Sequence, residues 1–428
     1  MFFDRPAAGS RALLVHILQQ GSELATAEEL QELALSAGLE VAGCLTSGRR
    51  LPHPGTFVGA GKVEEIKTWL GANQANLIIF GDELTPTQER NLEKLLGQRV
   101  MGRTGLILEI FAQRARTHEG KLQVELAQLE HISTRLVRGW SHLDRQRGGS
   151  GRTGGGAAGL GGAGETQLEA DQRMVAQQIK RVQARLAKVR RGRELNRRSR
   201  RRSEIRALSL AGYTNAGKST LFNHLCKSSV YARDQLFATL DPTLRQLNLP
   251  SLGKAILTDT VGFIRQLPHT LVDAFRATLE EVVNADLILH VVDASAPLRQ
   301  ERIGEVNQVL DEIGAGDRPQ LLVYNKVDLL GKKPRIEYGH DGLPQKVWLS
   351  AATGEGSGLL LDAIAQRLAP DVIETSVTLG PAQGRARSRL FELGAVLTEE
   401  PCEDGSITLG LRIQQQALDR ILQRANVG

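Results

Sequence analysis

The stretch ALSLAGYTNAGKST, residues 207–220, decides how this chain folds. The apolar run 207–211 predicts a strand. Gly212-Tyr213-Thr214-Asn215-Ala216-Gly217 predicts a glycine-bounded loop, and Lys218-Ser219-Thr220 opens a helix through Leu225. This is GxxxxGKS in the strand–loop–helix setting it requires. Glycines let successive backbone N–H groups curl around a β-phosphate, and the helix N-terminus adds its positive end. Lys218 is expected to reach the β- and γ-phosphates, and Ser219 to place its hydroxyl on Mg²⁺. The box by itself implies a nucleoside triphosphate and leaves the base open.

Further along, Asn325-Lys326-Val327-Asp328 follows the apolar run QLLVY (320–324), the place where a base-binding loop begins in an α/β sheet. The Asp328 carboxylate can accept from the ring N–H and exocyclic amine of guanine, a donor edge that adenine lacks. Asn325 is expected to tie this loop to the phosphate loop, and Lys326 to lie over the purine face. In VWLSAAT (347–353), Ser350, Ala351 and Ala352 can offer backbone N–H to guanine O6. Asp259-Thr260-Val261-Gly262 follows the strand-like AILT. Asp259 is expected to bind Mg²⁺ through water and the Gly262 N–H to sense a γ-phosphate. DQLFATLDPTLR (234–245) holds two candidate Mg²⁺-ligating threonines, Thr239 and Thr243, and residue type leaves both open. Phe263 stands where Ras-type enzymes carry a water-orienting glutamine, so unaided hydrolysis is expected to be slow. His269 reads as a surface residue of the switch region rather than a substitute. In this order, between Gly212 and Ala352, the boxes imply a GTP-binding and GTP-hydrolysing enzyme of the translation-factor-like P-loop class.

The N-terminal 115 residues alternate apolar runs with amphipathic stretches, as an α/β domain does. LLVHIL (13–18) and LIIF (77–80) read as strands. Residues 28–37 read as a helix with Leu30, Leu33 and Leu35 on or near its inward face, and Thr85-Pro86 opens another. Gly59-Ala60-Gly61-Lys62 invites comparison with a second phosphate loop, but no Ser or Thr follows the lysine. It reads better as a glycine turn before a helix over 63–70.

From Glu119 the period changes. Leu122, Leu126, Leu129, Leu136, Trp140 and Leu143 form one stripe, interrupted at Ser133, and Leu168, Val175, Ile179, Val182, Leu186 and Val189 form a second. Such seams pair as an antiparallel helical hairpin. GGSGRTGGGAAGLGGAG (148–164) is too glycine-rich for a core and reads as the hairpin's mobile tip rather than a linker. Arg135, Arg138, Arg145, Arg147 and Arg152 lie toward that tip. Lys180, Arg181, Arg185, Lys188, Arg190, Arg191, Arg193, Arg197, Arg198, Arg200, Arg201 and Arg202 line the return, with few acids beyond Glu194 and Glu204. A nuclear-localisation tract is one reading of such a run; RNA phosphate is the preferred partner. The tail reads as strand (375–379), helix (386–397), strand (406–411) and helix (415–423).

Composition sets the remaining bounds. A chain of 428 residues, 41% hydrophobic and 4% aromatic, fits two to four domains with aliphatic cores. The net charge is +6 with pI ≈ 9.3, and its clustering on the arm is what points to a polyanion. Cys44, Cys226 and Cys402 stand far apart, which argues against a zinc module or a disulfide framework. No stretch approaches the roughly 20 apolar residues of a membrane span, and the N-terminus lacks a signal-peptide pattern. A cytoplasmic location is expected.

Taken together, LFATLDPT (236–243), DTVGFIRQLPHTLVDAF (259–275), FVGAGK (57–62), ERNLEK (89–94), GRTGLILEIFAQRART (102–117), EGKLQVELAQL (119–129) and GETQLE (164–169) resemble the signatures of the HflX family of ribosome-associated GTPases, within the Obg-HflX group. The resemblance implies an N-terminal α/β domain (1–115), a helical hairpin arm (116–206), a GTPase domain (207–371) and a small C-terminal α/β domain (372–428). It selects Thr239 as the Mg²⁺ threonine and places Phe237, Ala238, Leu240 and Asp241 with it along the nucleotide. It further implies a protein, monomeric when free, that binds GTP or GDP, the large ribosomal subunit and ribosomal RNA. That protein splits stalled or hibernating ribosomes, with the arm tip carried toward the peptidyl-transferase region. Adenine-nucleotide binding outside the GTPase domain has also been linked to the family. One departure is plain: Leu160-Gly161-Gly162-Ala163-Gly164 stands where the family reads close to Arg-Gly-Pro-Gly, and Arg152 is the candidate substitute. A GTP-dependent assembly or RNA-remodelling factor, or a switch for a protein effector, are the other functions these boxes could serve.

Overall fold

Strands with no polar alternation, such as Leu13-Leu14-Val15 and Leu77-Ile78-Ile79-Phe80, have two faces to cover, and a parallel sheet flanked by helices covers both. The computed structural model has this architecture, and it describes residues 10–17, 23–48, 52–147, 167–202, 205–226, 236–237, 239–250, 252–265, 276–368, 372–402, 405–414, 418–419 and 421–422. The chain divides into two compact units. One comprises Met1–Glu194, Gln235–Leu240 and Pro268–Phe275; the other comprises Leu195–Asp234, Asp241–Leu267 and Arg276–Gly428.

The first unit opens with β1 (Arg11–Ile17), α1 (Glu23–Ser36), β2 (Glu40–Ser47), α2 (Ala60–Asn73), β3 (Leu77–Phe80), α3 (Pro86–Leu96), β4 (Arg99–Met101) and α4 (Arg103–Arg114). Its sheet is parallel, in the order β2-β1-β3-β4. Leu30 and Leu33 of α1 are buried, but Leu35 is 52% exposed and Ala34 takes the inward place. At α3 the Thr85 side chain accepts the Gln88 N–H at 3.3 Å while the Gln88 side chain accepts the Thr85 N–H at 2.9 Å. This reciprocal cap fixes the helix start. Gly59 caps α2, so Gly61 and Lys62 lie inside the helix and Lys62 Nζ pairs with Glu65 at 2.8 Å. A glycine-opened helix is what forms there, three residues longer at its start than the pattern suggested.

The hairpin helices are α5 (His118–Arg147) and α6 (Gln167–Arg202). Leu122, Leu126, Leu129, Val175, Val182 and Leu186 form their buried seam, with Ile132 and Ile179 packed against it. Ile132 carries the stripe past Ser133. The tip 148–164 and the side chains of Leu136, Trp140, Leu143 and Leu168 lie outside the described residues.

The second unit runs β5 (Arg206–Gly212), α7 (Lys218–Cys226), β6 (Thr243–Leu249), β7 (Gly253–Asp259), α8 (Arg276–Val283), β8 (Leu287–Asp293), α9 (Arg299–Glu312), β9 (Gln320–Asn325), β10 (Arg335–Tyr338), β11 (Pro344–Trp348) and α10 (Ser357–Leu368). The sheet order is β10-β11-β9-β8-β5-β7-β6. Only the edge strands β6 and β10 pair antiparallel. Leu208, Leu210, Leu257, Leu289, Val291, Val323 and Val347 build its core. Because β5, β7, β9 and β11 run in parallel, their C-terminal ends bring residues 212–219, 259–262, 325–328 and 350–352 to one edge, where ligands bind in such sheets.

The tail forms β12 (Val372–Leu379), α11 (Gly384–Glu392), β13 (Val396–Pro401) and β14 (Ile407–Gln414), an antiparallel sheet in the order β12-β14-β13. The expected helix over 386–397 stops early, because Gly394 turns the chain at φ +66° and a strand follows. Of the expected helix 415–423, residues 418–419 and 421–422 are described, and are helical. Among the described residues no helix is long and apolar enough to cross a membrane.

Leu186 is 3% exposed in the two-helix seam. Leu186→Ala is expected to cost about 2–3 kcal/mol, the lower part of the range for buried leucines, since a two-helix seam can partly close over the gap. Amide exchange read along α5 and α6 checks it. Protection at 122–129 and 175–186 is expected to fall together, while the sheet of the second unit keeps its own.

Candidate nucleotide site

The turn after β5 is set by two glycines. At Gly212 (φ +144°) a Cβ would sit 2.2 Å from the Val291 carbonyl oxygen, and at Gly217 (φ +88°) a Cβ would sit 2.2 Å from Asn325 Nδ2. No other residue fits either place. Asn215 supplies a third left-handed turn at φ 58°. The loop therefore closes over Lys218, whose Nζ donates to the carbonyls of Gly212 (3.0 Å) and Tyr213 (2.7 Å). Burial pushes the Lys218 ammonium down to about 8, against the raising effect of the Asp259 carboxylate. Ser219 and Thr220 follow on α7, half-buried and exposed respectively.

Ser219 Oγ donates to Asp259 Oδ2 at 2.8 Å, and Asp259 is fully buried. A hydroxyl and a carboxylate meeting beside a phosphate loop are hard oxygen donors of the kind Mg²⁺ takes. Thr260 fastens this turn by donating to the Leu210 carbonyl at 2.6 Å, and Val261 is buried. Gly262 and Phe263 lie along the phosphate loop. The Phe263 N–H donates to Gly212 O at 3.1 Å, and the Thr214 N–H donates to Phe263 O at 2.7 Å. The Phe263 ring is 2% exposed.

Asn325, 3% exposed, donates from Nδ2 to Ala216 O at 2.9 Å and accepts the Ala351 N–H on Oδ1 at 2.8 Å. One amide thus joins the phosphate loop, the base loop and the last box. Lys326 turns the chain at φ 66°, and its Nζ pairs with Asp293 Oδ2 at 2.8 Å. Burial alone would raise Asp293. Hydrogen bonds from Lys326 and Ser295 outweigh it and hold the carboxyl below its usual range. Val327 is buried and its N–H donates to Leu349 O at 3.3 Å, while Asp328 is exposed at the loop surface. Ser350 is buried, with Oγ accepting the Thr353 N–H, and Ala352 is exposed. Since the Ala351 N–H already serves Asn325, a guanine O6 would share that donor or take the one on Ala352.

Thr239, the candidate Mg²⁺ threonine, stands in the first unit's segment Gln235–Leu240. Within that unit the Leu236 N–H donates to Ser36 Oγ at 3.1 Å, and the Phe237 ring meets Phe111 edge-on at 4.7 Å and 85°. Phe237 and Leu240 are each 2% exposed, Thr239 is half-buried, and Ala238 lies outside the described residues, as does His269. Asp241 begins the return into the second unit, and Thr243 is the first residue of β6, paired with Asp259. Two participants escape reading from motifs. Asp293 closes the apolar run of β8 at the same sheet edge, and the Tyr213 hydroxyl accepts the Arg265 N–H at 2.9 Å.

A phosphate loop, a switch aspartate and an asparagine-joined base loop on one sheet edge define a P-loop GTPase. Family models match along nearly the whole chain: "GTP-binding GTPase N-terminal" over residues 25–112, "GTP-binding GTPase Middle Region" over 114–200, "50S ribosome-binding GTPase" over 207–326 and "HflX C-terminal domain" over 341–427. The GTPase HflX of Escherichia coli (strain K12) is 51% identical over 413 residues, 96% of this chain and 95% of that protein. The GTPase HflX of Caldanaerobacter subterraneus subsp. tengcongensis is 44% identical over 92% of this chain and 89% of its own length. The chain belongs to the HflX family of GTPases, and it binds and hydrolyses GTP.

The buried lysine gives nucleotide binding a pH dependence. Phosphate beside Lys218 favours the ammonium, so binding takes up a proton wherever the free protein has lost it. Affinity for GDP is expected to be level below about pH 7.5 and to fall toward tenfold per pH unit above about pH 8. Calorimetry in buffers of different ionisation enthalpy counts the proton directly: close to none at pH 7, approaching one at pH 9. An uptake that stays at zero through pH 9 would contradict it.

Proposed function

We propose that this protein is a Mg²⁺-dependent GTPase that docks on the large ribosomal subunit through ribosomal RNA and separates stalled or hibernating ribosomes. In this reading residues 1–115, 116–206, 207–371 and 372–428 are its N-terminal, hairpin, GTPase and C-terminal domains. It is monomeric when free and works in the cytoplasm. The observation that carries the docking is α6. Thirty-six residues make a helix about 54 Å long at 1.5 Å per residue. One side of that helix is sealed in the seam, and Lys180, Arg181, Arg185, Lys188 and Arg191 are exposed on the rest. An extended basic rod suits a phosphate backbone, where each neutralised phosphate releases counterions.

Guanine recognition is assigned to Asp328, with Asn325, Lys326, Val327, Ser350, Ala351 and Ala352 shaping its pocket. The phosphates are assigned to the loop Gly212–Gly217 with Lys218, Ser219 and Thr220. Ser219 and Thr239 are the proposed Mg²⁺ ligands, Asp259 acts through water, and Thr260, Val261 and Gly262 complete the switch. The metal would neutralise charge on the β- and γ-phosphates. Phe263 cannot orient an attacking water, so the isolated protein is slow and the ribosome completes its site.

Sucrose-gradient sedimentation with whole ribosomes and large subunits, under GTP, GDP and a non-hydrolysable analogue, tests this reading. The GTP-loaded protein is expected to co-sediment with large subunits and convert whole ribosomes to subunits. Replacing residues 148–164 by a short turn is expected to keep basal hydrolysis and remove that conversion. Charge reversal of Lys180, Arg181, Arg185 and Lys188 is expected to flatten the log–log salt dependence by about 0.7–0.9 per lost contact. Binding to immature particles without conversion of whole ribosomes would favour an assembly or RNA-remodelling factor instead.

A further inference from the structure

A phosphate-loop lysine serves the β- and γ-phosphates, so whatever lies against it on the γ side decides whether a third phosphate can enter. Gly262 lies there. A Cβ built on it would sit 3.1 Å from Lys218 Nζ, 2.8 Å from Thr214 Cγ2 and 3.1 Å from Thr214 Cα. An added methyl has no room there, and a phosphate is larger than a methyl. The closure is also bonded, through Phe263 N–H to Gly212 O (3.1 Å) and Thr214 N–H to Phe263 O (2.7 Å). Those bonds fasten the switch to the first half of the loop. The turn from Gly217 into α7, where a β-phosphate seats, is left in place.

The closed arrangement has its own fastening, and Tyr213 is its centre. Its hydroxyl accepts the backbone N–H of Arg265 at 2.9 Å. The Arg302 guanidinium lies over its ring, 4.9 Å from the centroid. Arg265 Nε in turn pairs with Glu305 at 3.3 Å. Arg302 and Glu305 are three apart on α9 and so share one face of that helix. Phosphate loop, switch and α9 are thereby joined through a side chain on which the GxxxxGKS pattern places no demand.

We propose that Tyr213 is a specificity-determining residue, a latch that holds the Gly262–Phe263 peptide in the place of the γ-phosphate and makes the resting protein favour GDP over GTP. GTP enters only when the two backbone bonds and the Tyr213–Arg265 bond open, whereas GDP does not require it. The inference rests on residues 212–219 being the phosphate loop. Tyr213 acts through Phe263 and Gly262 and is a positioning residue.

Tyr213→Phe removes one hydroxyl and keeps the ring under Arg302. Equilibrium titration of the full chain with fluorescent GDP and with a fluorescent, non-hydrolysable GTP analogue reads the effect as a ratio. The preference for GDP is expected to shrink about two- to tenfold, the range for loss of one hydrogen bond, through tighter binding of the GTP analogue. Arg302→Ala, which loosens the latch from α9, is expected to move the ratio the same way. A merely structural role would weaken both nucleotides by one factor. An unchanged ratio in both variants, or equal weakening of both ligands, overturns the latch. Failure of the wild-type protein to bind GDP would instead overturn the phosphate-loop assignment beneath it.

Discussion

One buried carboxamide holds the site together. The loops after β5, β9 and β11 are separate pieces of chain, and a parallel sheet fixes only where each begins. Asn325 joins all three by donating to Ala216 O at 2.9 Å and accepting from Ala351 at 2.8 Å. The fit constrains its neighbours. Gly217 must lack a Cβ, because Asn325 Nδ2 would stand 2.2 Å from it. Each end of the amide is satisfied, which burial demands. An aspartate there would offer no donor to Ala216, and a leucine would leave both backbone groups buried and unmet.

Charge follows the same logic of local compensation. Lys218 is held under two carbonyls and loses part of its hold on its proton. Asp293 gains acidity from the lysine that frames the base loop. The two shifts have opposite origins: burial dominates at Lys218, hydrogen bonding at Asp293. A site prepared in this way would meet an anionic ligand with its cation already placed. In the proposed latch the γ-phosphate is the exception, because the Gly262–Phe263 peptide holds its place.

The parts legible in sequence were those whose cause is local. The glycines of the phosphate loop, the Thr85-Pro86 helix start and the apolar runs of β3, β5 and β9 each announce themselves within a few residues, since sterics, backbone preference and two-sided burial act at short range. The inward places expected at Ser133 and Leu35 fall one position earlier, on Ile132 and Ala34, because a stripe of leucines does not say which neighbour the packing turns inward. The strand Val396–Pro401 starts inside the expected helix 386–397 and continues where no element was expected; it is a strand through pairing with β14. The Phe263–Thr214 bonds were invisible for a deeper reason. They join residues 49 positions apart through backbone atoms, which leave no mark on residue type. The Tyr213 hydroxyl did carry a signal, a polar tip on an apolar ring inside a loop of small residues, but the motif drew attention to its backbone instead.

The site depends on its three loops acting as one through Asn325. Asn325→Ala, titrated with GTP and ATP beside the wild-type protein, tests this most directly. Two buried backbone groups lose their partners, each at about 1–3 kcal/mol. GTP affinity is therefore expected to fall at least about tenfold, and the preference for GTP over ATP to narrow with it, since phosphate and base loops lose their common tie. A variant that keeps both wild-type GTP affinity and wild-type discrimination against ATP would contradict the account.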